Sequence, residues 1–118
     1  MRLNHLNLSV NDAQGAMIFL ETYFSLRSIK GTKDKDTFIG MEDENGFVLT
    51  LMQENESIPA YPSTFHLGFL KQPLESIHTL YQKLKTDGYP VEEPKAYRGK
   101  GIDLYVTTPF GFTIQVST

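Results

Sequence analysis

The chain has 118 residues, of which 40% are hydrophobic and 21% charged, and these values are typical of one ordinary globular domain rather than of a disordered chain. A net charge of −3 without a basic stripe argues against nucleic acid as a partner, and the absence of cysteine excludes disulfides, thiolate ligands and cysteine nucleophiles. No segment is apolar for long enough to cross a bilayer or to act as a signal peptide, so we expect a cytoplasmic protein with no membrane partner.

Two periodicities predict the first elements. From Leu3 to Val10 apolar and polar residues alternate, which is typical of a strand with one buried face. Apolar residues then recur at helical spacing, and Asn11 and Gln14 are placed like a capping pair. We therefore predict a helix from about Asp12 to Phe24.

Three shorter segments rich in β-forming residues complete the first half. They are separated by charged segments and by an Asn45-Gly46 pair that suits a hairpin turn, and they cover Leu26–Gly31, Thr37–Met41 and Phe47–Met52. The first half thus reads β-α-β-β-β. The segment "QENESIPAYPS" that follows, with two prolines, is predicted to be a linker.

The same order of elements returns after the linker. "TFHLGFL" alternates as a strand, and an apolar stripe from Leu74 to Leu84, between Pro73 and Asp87-Gly88, predicts a second helix. Three further strand segments follow, at Pro90–Tyr97, Ile102–Thr107 and Phe112–Ser117.

An internal repeat is the simplest account of this order. His66 follows His5 by 61 positions and Gly111 follows Gly46 by 65, so the halves keep register apart from a few loop residues. The predicted fold is α+β, a single domain over 1–118 made of two βαβββ modules, at about 1–53 and 63–118, with the linker at 54–62. A ferredoxin-like β-α-β-β-α-β sandwich is the alternative, and it requires one of the strand predictions in each half to be wrong.

Three segments carry a resemblance to a known family: "LNHLNLSVNDAQGAMIFLETYF", "FHLGFL" and "DLYVTTPFGFTIQV". They resemble the vicinal oxygen chelate superfamily, which includes glyoxalase I, bleomycin-resistance proteins, extradiol dioxygenases and fosfomycin-resistance transferases. The resemblance implies curved mixed sheets around a cavity, with the helices outside. It also implies a small-molecule ligand or substrate and a homodimer.

The polar face of each strand would then line that cavity. Strand parity predicts these cavity-lining residues: Asn7, Ser9, Thr50, Met52, Gly68, Asp103, Tyr105, Thr113 and Gln115. Arg98, in the "YRGKG" hairpin, is added as a residue that could grip an anionic substrate; the alternative is a solvated hairpin.

The resemblance also implies where a metal ion would bind, because family ligands come from the first and last strands of each module. Those positions hold His5, Thr50, His66 and Gln115 here, so both histidines fit and both family glutamates are missing. The predicted ligands are His5, His66 and Gln115, with Asp103 as a further candidate, for a divalent Zn, Fe, Mn or Ni ion. The alternative is that the histidines only form hydrogen bonds.

Two functions therefore stay open at the level of sequence. One is an enzyme of lyase, isomerase, dioxygenase or transferase type that uses a divalent metal to chelate neighbouring oxygens of a small substrate. The other is a metal-free protein that binds or sequesters a small molecule, which the loss of both acids favours. No catalytic residue is assigned, and His78 is predicted to be an ordinary, partly exposed helix residue.

Overall fold

The computed structural model describes residues 1–32, 37–97, 99 and 101–118, which form two compact units, Met1–Pro59 and Ala60–Thr118. Each unit holds one module of order βαβββ, as predicted. The first module consists of β1 (His5–Val10), α1 (Ala13–Phe24), β2 (Arg27–Ser28), β3 (Phe38–Glu42) and β4 (Val48–Gln53). The second consists of β5 (His66–Phe69), α2 (Leu74–Thr86), β6 (Lys95–Tyr97), β7 (Gly101–Thr107) and β8 (Thr113–Ser117).

Each module forms its own four-stranded mixed sheet, in the order β1-β4-β3-β2 and β5-β8-β7-β6. The first and last strands of each module are parallel neighbours, and the remaining pairs are antiparallel. These two sheets confirm the α+β fold of tandem βαβββ modules. They are not the single sheet of the ferredoxin-like alternative.

One face of each sheet is covered by the helix of its own module. Helix α1 packs on β2, β3 and β4, and α2 packs on β7 and β8. Along β7, Leu104 and Val106 are buried, whereas Tyr105 and Thr107 between and after them are exposed. The alternation confirms the predicted strand parity, because successive side chains of a strand point to opposite faces.

Helix α1 begins one residue later than predicted, and a different residue caps it. Asp12 is the N-cap, and its Oδ1 accepts a hydrogen bond of 2.9 Å from the backbone N–H of Gly15. The interpretation of Asn11 and Gln14 as the capping pair is therefore wrong. Asp is as good a cap as Asn, so the choice depends on which residue has extended backbone angles at the helix start.

The apolar stripe of α2 is narrower than the sequence predicted. Ile77, Tyr81 and Leu84 are buried, but Leu74 is 48% exposed. At 100° per residue, Leu74 lies about 60° around the helix from Ile77, at the margin of the face that meets the sheet. Among the described residues, no helix is both long and apolar enough to cross a membrane.

Strand β6 is also shorter than predicted, since residues 90–94 are not in a strand. Pro90 and Pro94 lack the N–H group that a strand ladder needs, which accounts for the late start at Lys95. Residues 90–93 of the segment before β6 instead line a cavity.

Candidate functional site

The face of the second module's sheet opposite α2 is mostly polar. Three of the rows that the strand register forms across this face are His66–Thr113–Thr107, Gly68–Gln115–Tyr105 and Ser117–Asp103–Lys95. The predicted cavity-lining residues of this module therefore do share one face. Arg98 lies outside the described residues.

Described residues of this face line two of the protein's cavities. The larger, of about 750 Å³, is lined by Asp103, Tyr105 and Thr107 of β7 together with Lys95, Ala96 and the segment 90–93. The smaller, of about 270 Å³, is lined by residues 63–66, Tyr105 and Thr113. Tyr105 lines both and is 48% exposed, so it offers an aromatic surface to a ligand on this face.

His66 lies in the smaller cavity with a defined orientation. Its Nδ1 is 2.9 Å from the backbone carbonyl oxygen of Thr64, and its ring meets the Tyr105 ring edge-on at 5.9 Å between centroids. A carbonyl oxygen can only accept, so Nδ1 carries the proton and donates it. In the neutral ring Nε2 then keeps its lone pair, free to accept a proton or to bind a cation.

His5, the counterpart of His66 in the first module, has the opposite arrangement. Its Nε2 is 3.3 Å from the hydroxyl oxygen of Thr50, and that hydroxyl donates to Asn7 Oδ1 at 2.6 Å. Because the single hydroxyl proton is already used, Nε2 of His5 must be the donor to Thr50. The nitrogen that faces Thr50 therefore has no lone pair to offer.

On the face of the first module's sheet that carries His5 and Thr50, one end of the sheet bears two large apolar side chains. In the register, Ser9, Met52 and Phe38 form one row across β1, β4 and β3. Met52 and Phe38 are 40% and 36% exposed, and Ser9 is half-buried. The predicted inward residues Asn7, Ser9, Thr50 and Met52 therefore share one face.

Asp103 is the most buried charged residue of the second module's polar face. It is 7% exposed, and its Oδ2 has no hydrogen-bond partner among the described residues. Lys95 is its neighbour across β6 and β7, but the Lys95 ammonium pairs with Glu92 at 2.5 Å. The hydrogen bond and the charge of Lys95 hold the pKa of the Glu92 carboxyl below its usual range.

These groups do not fit a divalent metal site assisted by a carboxylate. Within the described part of the chain, no cluster of three or more His, Cys, Asp or Glu side chains could hold a metal ion. Asp103 is two rows from His66, or roughly 13 Å along the strands, so the register does not bring the two together. Gln115 and Thr50 offer only neutral oxygens, which do not offset the charge of the ion.

Some lining residues were missed by sequence reasoning. Glu92, Glu93 and Lys95 line the larger cavity from a segment that the sequence placed in a strand without a functional role. The only available signal was a run of charges between two prolines, which is common in surface loops. His78 is exposed on α2, as expected.

Two βαβββ modules, each with a helix on one sheet face and polar side chains on the other, define an α+β fold used for small-molecule sites. A family model matches residues 2–116, and the chain belongs to the Glyoxalase/Bleomycin resistance protein/Dioxygenase superfamily. The resemblance seen in the sequence is therefore confirmed. Comparison with curated proteins gives no match.

Solved structures agree with this assignment. A protein of Bacillus cereus described as a possible glyoxalase is 43% identical, with a TM-score of 0.87, and the match covers 100% of this chain and 99% of that one. The fosfomycin resistance protein FosX of Listeria monocytogenes is 18% identical over 99% and 92% of the two chains, with a TM-score of 0.79. Lactoylglutathione lyase of Agrobacterium tumefaciens is 16% identical over 98% and 92%, with a TM-score of 0.75. At these identities the last two show the fold alone.

Proposed function

We propose that the protein binds a small organic molecule on the polar sheet face of the second module, without a metal ion held by carboxylates. The observation that carries the proposal is the cavity of about 750 Å³, a volume within the range of small-molecule sites. Its lining combines the apolar Pro90, Val91 and Ala96 with polar side chains, as such sites do.

The donor chemistry supports binding without a metal. The nitrogen of His5 that faces Thr50 is a donor, and no carboxylate lies in the same row as His66. Both facts weaken the predicted ligand set of His5, His66 and Gln115, which stays a prediction.

A metal-dependent enzyme of the same superfamily is the second candidate, and one observation favours it. His66 donates from Nδ1 to a backbone carbonyl, which is the arrangement that usually orients a metal-binding histidine through Nε2. The sulfur-free donor set then makes Zn, Fe, Mn or Ni the ions to test.

Metal analysis separates the two candidates. Protein purified without chelator is measured by elemental analysis and titrated with Mn, Fe, Ni and Zn, using the wild type, His5→Ala, His66→Ala and the control His78→Ala. We expect no stoichiometric uptake by any of the four. About one equivalent bound by the wild type and by His78→Ala, but lost in both other variants, would overturn the proposal in favour of the enzyme.

Ligand binding itself is tested by a thermal-shift screen of small aromatic and polar compounds. Tyr105→Ala removes the side chain shared by both cavities, so we expect it to abolish the shifts that compounds produce in the wild type. Leu74→Ala, on the exposed margin of α2, is the matched control and should keep them. Shifts that survive in Tyr105→Ala would place the binding site elsewhere.

A further inference from the structure

Asp103 is a carboxylate buried on the polar sheet face of the second module. A carboxylate removed from water is costly unless a cation or several hydrogen-bond donors compensate for the lost hydration. Asp103 is only 7% exposed. Among the described residues, its Oδ2 has neither a cation nor a hydrogen-bond donor as a partner.

The carboxylate faces the larger cavity. Asp103, Tyr105 and Thr107 alternate along β7 and all three line that cavity, while Leu104 and Val106 point to the opposite, buried face. Asp103 is therefore a buried part of the lining of the site to which the proposed function assigns a ligand.

The cation closest in register does not neutralise this carboxylate. Lys95 is opposite Asp103 but pairs with Glu92, so that charge is already balanced. Glu93 also lines the cavity, which leaves its described lining with three carboxylates and one ammonium. The described lining therefore carries more negative than positive charge, which favours a positively charged ligand.

We propose that the larger cavity selects ligands that carry a protonated nitrogen, as an ammonium, amidinium or guanidinium group, and that this group pairs with Asp103. A charge-assisted hydrogen bond to the Asp103 carboxylate would compensate for its lost hydration, and the half-exposed ring of Tyr105 offers a surface for the adjoining apolar part.

An organic cation suits the site better than a metal ion. A divalent ion needs several ligands, and no group of three suitable side chains exists among the described residues. One monovalent nitrogen cation needs only one carboxylate and a few acceptors, and the hydroxyl-bearing residues Tyr105 and Thr107 line the same cavity.

This inference rests on the proposed function, and three compounds of one shape test the charge separately from the binding. Benzamidine is cationic at pH 7, benzamide is its neutral counterpart and benzoate is anionic. Each is titrated against ¹⁵N-labelled protein, and chemical-shift changes at residues 95–96 and 103–107 give the affinity and the place of binding.

We expect benzamidine to bind the wild type at least about tenfold more tightly than benzamide, because it alone can form a charge-assisted pair with Asp103. Asp103→Asn keeps the size of the side chain and should bring the two affinities together. Glu75→Gln, a carboxylate of α2 outside the cavity, should leave the preference unchanged.

Each other outcome counts against a defined part of the argument. Equal affinities of benzamidine and benzamide in the wild type, or a preference that survives in Asp103→Asn, would overturn the charge selection and leave the proposed function standing. Absence of any shift change in this cavity with all three compounds, together with a negative thermal-shift screen, would overturn both. The ¹⁵N spectrum of Asp103→Asn shows whether the variant is folded, and Asp103→Ser repeats the test if it is not.

Discussion

At the scale of single residues, the two equivalent histidines have been given different chemistry by their nearest oxygen atoms. Thr64 offers His66 a carbonyl oxygen, while Thr50 offers His5 a hydroxyl whose proton is already directed to Asn7. The repeat therefore conserves the residue type but not the role. An oxygen that only accepts fixes one tautomer, and a hydroxyl in a chain fixes the other.

Removing the Thr50 hydroxyl should break the chain in the first module. Thr50 is 8% exposed, and Thr50→Val leaves Asn7 Oδ1 and His5 Nε2 without this partner at nearly constant volume. We expect the free energy of unfolding to fall by about 1–2 kcal/mol. Urea unfolding measures the change, and Thr79→Val, on the exposed side of α2, should change it much less. An unchanged stability would mean that water replaces the hydroxyl at no cost.

Removing the buried charge of Asp103 should raise the free energy of unfolding, whereas removing the Thr50 hydroxyl should lower it. Asp103→Asn removes a buried charge that no described residue pairs with. The free energy of unfolding of the ligand-free variant should therefore be about 1 kcal/mol higher than that of the wild type. Differential scanning calorimetry checks this, with Glu56→Gln, an exposed residue outside the helices and strands, as the control. A clear loss of stability would show that the carboxylate is already compensated within the folded chain.

The Glu92–Lys95 pair predicts a local change in titration. Since Lys95 lowers the pKa of Glu92, Lys95→Ala should return that pKa toward its ordinary range, as measured by NMR titration of the Glu92 side-chain carboxyl. A carboxyl whose pKa is lower in the folded state than in the unfolded state stabilises the fold at pH values above the unfolded-state pKa. This contribution is lost as the pH falls through the folded-state pKa. Because the pair is exposed, we expect the overall stability to change little.

The sequence could predict the faces of these residues but not their partners. Alternation along the strands was sufficient to place Thr50 and Asp103 on polar faces, since strand parity is a local property. The sequence alone does not show that Lys95 pairs with Glu92 rather than with Asp103, its neighbour across β6 and β7. The burial of Asp103 likewise requires the position of the segment before β6.

At the scale of elements, the two helices end in different ways. Helix α1 ends with Ser25 in the left-handed region, at φ 56°, whereas α2 is followed by Gly88 at φ 87°. A residue with a Cβ is strained in this conformation, and glycine is not. The second helix therefore has the more favourable end.

This difference gives a reciprocal prediction. Ser25→Gly should stabilise the protein by up to about 1 kcal/mol, and Gly88→Ser should destabilise it by a similar amount. Thermal unfolding of both variants is the measurement. A Ser25→Gly variant that loses stability would indicate that the Ser25 hydroxyl contributes more than the backbone strain costs.

Element boundaries show which sequence signals were reliable. The Asn45-Gly46 turn and the Asp87-Gly88 stop were predicted, because glycine with positive φ is a strong local signal. The cap at Asp12 and the short β6 were not, since neighbouring Asn and Asp are equivalent caps and a proline-flanked segment can still reach a sheet edge.

At the scale of the whole molecule, the repeat was the most informative feature of the sequence. It predicted two βαβββ modules from the return of the same order of elements, and both sheets have the corresponding strand order. The order β1-β4-β3-β2 itself is not local information, because the parallel pair joins strands separated by a helix and two further strands. The domain limits and the linker at 54–62 stay predictions.

The homodimer implied by the family resemblance also stays a prediction, and it is measurable. Light scattering coupled to gel filtration should give twice the 13.4 kDa of the chain across a range of protein concentrations. A constant mass of one chain would contradict the prediction, and the ligand experiments would then be interpreted for a monomer.

The parallel neighbours of each sheet have a consequence for biosynthesis. The first strand of each module pairs with the last, as His5 with Val48 and His66 with Thr113. The first strand therefore cannot form its backbone hydrogen bonds to this neighbour until the last strand has left the ribosome. The closing strand also occupies an inner position, between the opening strand and a hairpin partner. A nascent chain halted before Val48 would therefore expose a helix and a hairpin without the strand that joins them, and chaperone capture should be greatest at that point and again before Thr113.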